Sequence, residues 1–249
     1  MSGAGKSTLA NVLMGEDPMC PNCMFPVCPG TDSCTKETSF AAGHWLGDGQ
    51  YFTVVDTPGF NDSDGEDEQN IENMMDILNN VIESASTILL VFKGNEDRFG
   101  DGLVQMVKQL TMLFGEGMWD HVIIGVTFWA YDQDSINDRE QMCTDYPDFC
   151  RDEEHYLAEM NRQLQEKINL KRNLTAVFID SYAKKGSNNE DPLQQQYFDQ
   201  ETQKLLDFML SKGDFMFRTI NDVLEENNNL HEENECLNGI IDNELEGIR

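Results

Sequence analysis

The stretch Ser2-Gly3-Ala4-Gly5-Lys6-Ser7-Thr8 constrains this chain more than any other. It matches the tail of the pattern G-x-x-x-x-G-K-[ST], a loop that curves successive backbone N–H groups around phosphate oxygens and then opens a helix. The helix N-terminus adds its partial positive charge to the site. Gly3, Gly5, Lys6, Ser7 and Thr8 carry the pattern, with Ser2 and Ala4 between them. Lys6 is expected to reach the terminal phosphates as a point charge, and the Ser7 hydroxyl to ligate Mg²⁺. The first glycine of the pattern would fall one residue before Met1, and so would the strand that feeds such a loop. Either Met1 is internal to a longer natural chain or the protein begins here. A parallel sheet without a central strand leaves backbone groups unpaired, so the truncated reading is the one expected.

The rest of the chain reads as strands alternating with helices. Leu9, Val12 and Leu13 put one apolar face on a helix over 6–14, with Gly15 as its C-cap. Residues 16–39 are rich in Cys, Pro and Gly and read as a loop. Residues 40–47 and 50–56 read as a strand pair about the hairpin signal Gly47-Asp48-Gly49. A helix over 69–84 follows, then a buried strand over 87–92 and a helix over 101–114. A strand over 122–127 leads into a charged loop reaching about residue 152. The last elements are a helix over 156–170, a strand over 176–179 and a helix over 192–211. That rhythm means a doubly wound, mainly parallel α/β sheet with helices on both faces and its first strand missing. The Met-rich helices are read as core, with Met as filler.

From residue 217 the composition shifts. Val223, Leu230 and Leu237 repeat every seven residues, while Asn227 and Asn234 interrupt the companion stripe of Ile220, Ile241 and Ile248. The segment reads as a helix with a broken heptad seam, which pairs with another chain or docks on the domain. The expected organisation is a nucleotide-binding domain over 1–211 and a C-terminal helical extension over 212–249.

Charge narrows the function further. Lys and Arg total 17 against 46 Asp and Glu, a formal net charge of -29, which argues against nucleic acid and against a polybasic membrane patch. No apolar run is long enough to span a bilayer. Seven cysteines, an odd number, suggest a reducing cytosolic compartment. Four of them, Cys20, Cys23, Cys28 and Cys34, lack the spacer of zinc modules and read as loop thiols, with a metal or redox role left open.

A second phosphate-site element is Asp56-Thr57-Pro58-Gly59, at the end of a predicted strand and downstream of the Gly-Lys-Ser-Thr helix. An acid so placed holds Mg²⁺ directly or through water, and the Gly59 N–H would sense a γ-phosphate. The acidic stretch 61–68 that follows matches a second switch.

Taken together, Gly3-Ala4-Gly5-Lys6-Ser7-Thr8, Thr35-Lys36, Asp56-Thr57-Pro58-Gly59-Phe60, Arg98-Phe99-Gly100-Asp101, Phe114-Gly115, Trp119 and a strand ending in Thr127 resemble the immunity-associated (IMAP) GTPases, relatives of the septins and chloroplast-import receptors. The resemblance covers about residues 2–208. It implies a GTP/GDP-binding, Mg²⁺-dependent switch that forms a homodimer through its G domain, in the cytoplasm and near intracellular membranes. By the same resemblance Thr35, with Thr38 as the alternative, is the first-switch threonine that completes the Mg²⁺ shell.

The base-reading motif departs from the family. The run Thr127-Phe128-Trp129-Ala130-Tyr131-Asp132 is one residue longer than usual and lacks the basic residue. Asp132, or Asp134, is the candidate for the guanine N1 and N2 donors, Trp129 or Tyr131 for stacking, and Asp180-Ser181 for the last base-contacting loop. Good hydrolysers place a Gln after D-x-x-G to orient water, whereas this chain has Phe60 and then Asn61. No catalytic residue is assigned, and slow turnover that depends on a dimer partner is expected. The rival is a scaffold that binds nucleotide without turnover, or binds none. An ATP-using nucleotide kinase fits poorly, since the chain lacks an Arg-rich lid.

Overall fold

In the computed structural model, the described residues are 3–18, 22–27, 35, 37–59, 74, 77, 84–95, 101–147, 150–183 and 191–216. The expected helix over 69–84, apart from Met74, Ile77 and Ser84, lies outside them. So do Phe60, Asn61, Ser2, three of the four clustered cysteines and the C-terminal segment from residue 217.

Three parallel strands form the centre: β4 (Ile88–Lys93), β5 (Val122–Thr127) and β6 (Ala176–Phe178), in the order β4-β5-β6. Ile88 pairs with Val122 and Ile124 with Ala176 at the starts of the two ladders. Every residue of β5 is buried, as a strand covered on both faces requires. Its side chains alternate between two cores. Val122, Ile124 and Val126 join Leu110 and Phe114 of helix α2 (Asp101–Phe114) and Tyr156, Met160 and Leu164 of helix α4 (Glu153–Ile168). Ile123 joins Leu9, Val12 and Leu13 of helix α1 (Lys6–Leu13) and Phe198 and Leu205 of helix α5 (Pro192–Ser211). Helices on both faces of a parallel sheet make the doubly wound α/β architecture.

Strands β1 (Ser39–His44) and β2 (Tyr51–Asp56) form the expected antiparallel hairpin, from Ser39 opposite Asp56 to His44 opposite Tyr51. Its connection is a 3-10 turn over Trp45–Gly47, in which Leu46 is left-handed at φ 53. Trp45 is buried against the α1 side of the core. Among the described residues β2 pairs only with β1, and β4 only with β5. Between them runs a cavity of about 530 Å³, lined by every residue from 51 to 58 and from 84 to 92, with Leu9, Ala10 and Leu13 of α1 on one wall.

Two parts differ from expectation. Residues 133–145, expected as a charged loop, form helix α3 (Gln133–Asp145). None of its residues is buried, so its sequence carries no apolar stripe. Ser84, expected to end a helix, instead opens strand β3 (Ser84–Ala85), which pairs antiparallel with β7 (Phe215–Met216). Phe215 packs edge-on to Phe114 at 6.3 Å, tying the chain after α5 to α2.

Two buried asparagines clamp loops to helices. Asn11 on α1 donates from Nδ2 to the Phe25 carbonyl (2.8 Å) and accepts the Phe25 N–H on Oδ1 (3.0 Å). Asn161 on α4 does the same for Leu174, at 3.0 and 2.7 Å. Each satisfies both backbone groups of a buried residue just outside regular structure.

Candidate functional site

The loop before α1 turns on two glycines in the left-handed region, Gly3 at φ +71 and Gly5 at φ +78, where a side chain would be strained. A Cβ on Gly5 would stand 3.4 Å from the Phe128 ring and 3.6 Å from the Thr127 hydroxyl. The loop is therefore pressed against the C-terminal end of β5. Thr127 Oγ1 donates to the Ala4 carbonyl (2.7 Å), with the Phe92 carbonyl also in reach at 3.0 Å. Gly5 then serves as the N-cap of α1.

Lys6, Ser7, Thr35 and Asp56 come together where α1 begins and β2 ends. Ser7 Oγ donates to Asp56 Oδ2 at 2.6 Å and lies 3.0 Å from Thr35 Oγ1. Asp56 is 4% exposed. Burial holds its carboxyl above the usual carboxylate range, opposed by the Ser7 hydrogen bond, the Lys6 charge and the Thr35 hydroxyl. Two hydroxyls and a carboxylate are hard oxygen donors, the set that suits Mg²⁺. Thr38, the alternative to Thr35, is buried with an Oγ1 that has no hydrogen-bond partner. Thr8 is buried in α1, and Gly59 is the last residue described before the second-switch segment.

The other end of the site is built differently. Phe128, directly after β5, is left-handed at φ 55, and its ring is 58% exposed beside Gly5, with Lys93 Nζ 6.0 Å from its centroid. That single residue turns the chain, so Trp129 goes inward. Trp129 is 4% exposed and packs on Phe178 (4.8 Å) and Tyr156 (5.5 Å), under the Arg139 guanidinium at 4.9 Å. Tyr131 is equally buried, stacked on Tyr197 at 4.1 Å and donating to Glu153 (2.6 Å), with its hydroxyl pushed far upward by burial and then by that acid. Neither proposed stacking ring faces the loop. Sequence reasoning missed Phe128, the aromatic ring that does, because no residue pattern announces a left-handed phenylalanine.

Asp132 caps α3. Its Oδ1 accepts from the Ser135 N–H (2.9 Å) and its Oδ2 from the Ser135 hydroxyl (2.6 Å), which hold the carboxyl below its usual range. Asp180 accepts from the Tyr182 N–H (2.9 Å). Burial raises its carboxyl, and the negative charge of Asp132 raises it a little further. Ser181 is 6% exposed, and its Oγ has no hydrogen-bond partner. Asp134 sits exposed in the first turn of α3.

A family model described as the AIG1 family matches residues 1–195. This chain belongs to the AIG1 family. The resemblance to the immunity-associated GTPases read from its motifs is thereby borne out. A curated relative, "GTP-binding protein A" of Dictyostelium discoideum, is 32% identical over 130 residues, which cover 51% of this chain and 26% of the relative. The match thus spans about a quarter of that protein's length.

Among solved structures, Toc33 from Arabidopsis thaliana in complex with GDP and Mg²⁺ superposes with a TM-score of 0.56 at 16% identity, over 86% of this chain and 82% of that one. A dimerization-deficient R130A mutant of Toc33 gives 0.57 at 17% identity, covering 87% and 84%. A chain from a study of dimerization and GTPase activity in the chloroplast translocon components atToc33 and psToc159 gives 0.57 at 17%, covering 83% and 77%. At these identities the likeness shows the fold, and the fold is the expected one. No helix among the described residues is long and apolar enough to cross a membrane.

Proposed function

We propose that this AIG1-family chain is a Mg²⁺-dependent GTP-binding switch with slow, dimerisation-dependent hydrolysis, working in the cytoplasm and at intracellular membrane surfaces. The observation that carries the proposal is the convergence of Ser7, Thr35 and Asp56 beside Lys6, at the mouth of a loop with two left-handed glycines. Ser7, Thr35 and Asp56 would hold the metal, which neutralises phosphate charge when bound. Lys6 and the backbone N–H groups of Gly3 through Thr8 would hold the phosphates, and Gly59 would sense the last of them. Asp132, Asp180 and the unpartnered Ser181 hydroxyl offer the polar groups for a guanine edge.

Support for GTP as the ligand comes from the family and from the named partners of its relatives: a GTP-binding protein in one case, GDP with Mg²⁺ in another. A homodimer through the G domain follows the same line, and the segment beyond residue 216 is a candidate second contact. The competing reading is a scaffold without turnover. It draws on the base end, where Trp129 and Tyr131 serve the core and Asp132 serves a helix cap. Calorimetry of the 249-residue chain with GTP, GDP and ATP, followed by phosphate release at low and high protein concentration, separates the two. A switch binds GTP and GDP well above ATP and turns over faster when concentrated. Tight GTP binding with no release at any concentration selects the scaffold, and no binding of any nucleotide overturns both the metal and phosphate assignments.

A further inference from the structure

Helix α3 is held mainly at its ends. No residue of it is buried, and among the described residues the partly buried Ile136 and the Arg139 guanidinium over Trp129 and Tyr131 attach its length to the core. At its first turn Asp132 makes the cap, with Phe128 and the loop beside Gly5 just upstream. At its last turn Cys143 is cross-linked to Cys150, which stands just before the N-cap of α4. Cys150 Sγ lies 3.4 Å from Oδ2 of Asp152, and that acid caps α4 by accepting the His155 N–H (2.8 Å). Both cysteines are half-buried. Nothing in the spacing of seven cysteines marked this pair.

We infer that the Cys143–Cys150 disulfide is a thiol-operated switch on nucleotide binding: closed, it pins the far end of α3 and so steadies Asp132 and the 128–132 loop; open, it lets both loosen. The inference rests on the proposed nucleotide site. A helix without a buried face opens locally at low cost, so a tie at its end governs its population to a degree that a tie in the core would not. The cross-link closes a short loop, and in a reducing compartment such bonds are made and broken reversibly.

The reductant is a low-molecular-weight thiol of the glutathione class. Its thiolate attacks one sulfur, forming a mixed disulfide and releasing the other cysteine as a thiolate. A second thiol attacks the mixed disulfide, releasing the second cysteine and the oxidised small disulfide. Two electrons and two protons pass from two thiols to Cys143 and Cys150, and Asp152 stands ready to accept the Cys150 S–H.

The test uses the full chain equilibrated with glutathione disulfide or with reduced glutathione, with peptide mapping to locate the 143–150 bond. GDP affinity is read by a fluorescent GDP analogue, and hydrogen exchange is read over 133–145. Reduction is expected to weaken GDP binding about five- to tenfold, the lower end of ordinary coupling between sites, and to speed exchange over 133–145. Cys143→Ser should behave as the reduced protein under both conditions, and Cys23→Ser should keep the full response. Equal affinity and equal exchange in the two redox states, or a full response in Cys143→Ser, overturns the switch. If neither state binds GDP, the nucleotide reading fails by itself. The exchange data then decide: faster exchange on reduction keeps the hinge at Cys143, and unchanged exchange removes it.

Discussion

The phosphate end and the base end of the candidate site lie against the same loop, yet they spend their side chains in opposite ways. At the phosphate end Lys6, Ser7, Thr35 and Asp56 converge on one another, and a buried carboxylate is kept there at a cost to folding. At the base end Trp129 and Tyr131 fill the core and Asp132 caps a helix. The first gathers the side chains proposed above to hold metal and phosphate, and the second serves the fold. The difference teaches that the phosphate end will fail functionally when altered, and the base end structurally.

The largest expected effect is at Trp129. Its ring is packed on all sides, so Trp129→Ala should cost about 3–5 kcal/mol of stability, the usual range for removing a buried aromatic. Urea unfolding measures it, and a change near zero would mean the ring is not core and would return it to the list of base contacts. Lys6→Ala is the mirror experiment. It should leave the unfolding curve nearly unchanged while weakening GTP and GDP by about a hundredfold or more, since an unscreened phosphate charge loses its partner. Comparable losses of stability and of affinity in both variants would erase the contrast.

The two asparagine clamps sharpen it at smaller scale. Asn11→Ala and Asn161→Ala each strand one buried N–H and one buried C=O, worth about 1–3 kcal/mol. Equal stability losses are expected from the two. Only Asn11→Ala, which frees the segment at Phe25 leading toward Thr35, should also weaken the Mg²⁺ dependence of nucleotide binding. The same loss in Asn161→Ala would show that the clamp acts through global stability alone.

The smallest effect is in pH. The Asp56 carboxyl is raised by burial, so in the metal-free chain its contribution favours folding below the ordinary carboxylate value of 3.8 and is lost as pH rises through the raised value. The Asp132 carboxyl is lowered, chiefly by the Ser135 hydroxyl, so its contribution is present above 3.8 and is lost as pH falls through the lowered value. Melting temperatures of Asp56→Asn and Asp132→Asn against the parent chain, followed from pH 7 downward, should therefore diverge in opposite directions near neutrality: Asp56→Asn more stable, Asp132→Asn less. Two variants moving together would contradict the assignment of cause.

The contrast also explains what could be read from the sequence. The phosphate loop, the Asp56 strand end and the α2, β5 and α5 elements were legible because each obeys a local rule. Glycine is demanded where φ is positive, an acid at a strand end is an expected metal ligand, and a continuous apolar run marks a strand covered on both faces. Helix α3 was not legible, since a helix polar on every side has no periodicity to detect. The choice between Phe128 and Trp129 turned on one backbone angle. With Phe128 left-handed, the in-and-out order after Thr127 is set by the turn and not by strand alternation. The Cys143–Cys150 bond depends on how α3 and α4 approach, which spacing along the chain does not encode.

The account depends most on the metal-and-phosphate cluster, and one titration addresses it directly: GTP binding to the parent chain and to Ser7→Ala, each with Mg²⁺ and with the metal chelated. Mg²⁺ should tighten GTP binding by the parent at least about tenfold and change Ser7→Ala little, because the Ser7 hydroxyl that touches both Asp56 and Thr35 is gone. A parent chain whose GTP affinity is the same with and without Mg²⁺ would contradict the account.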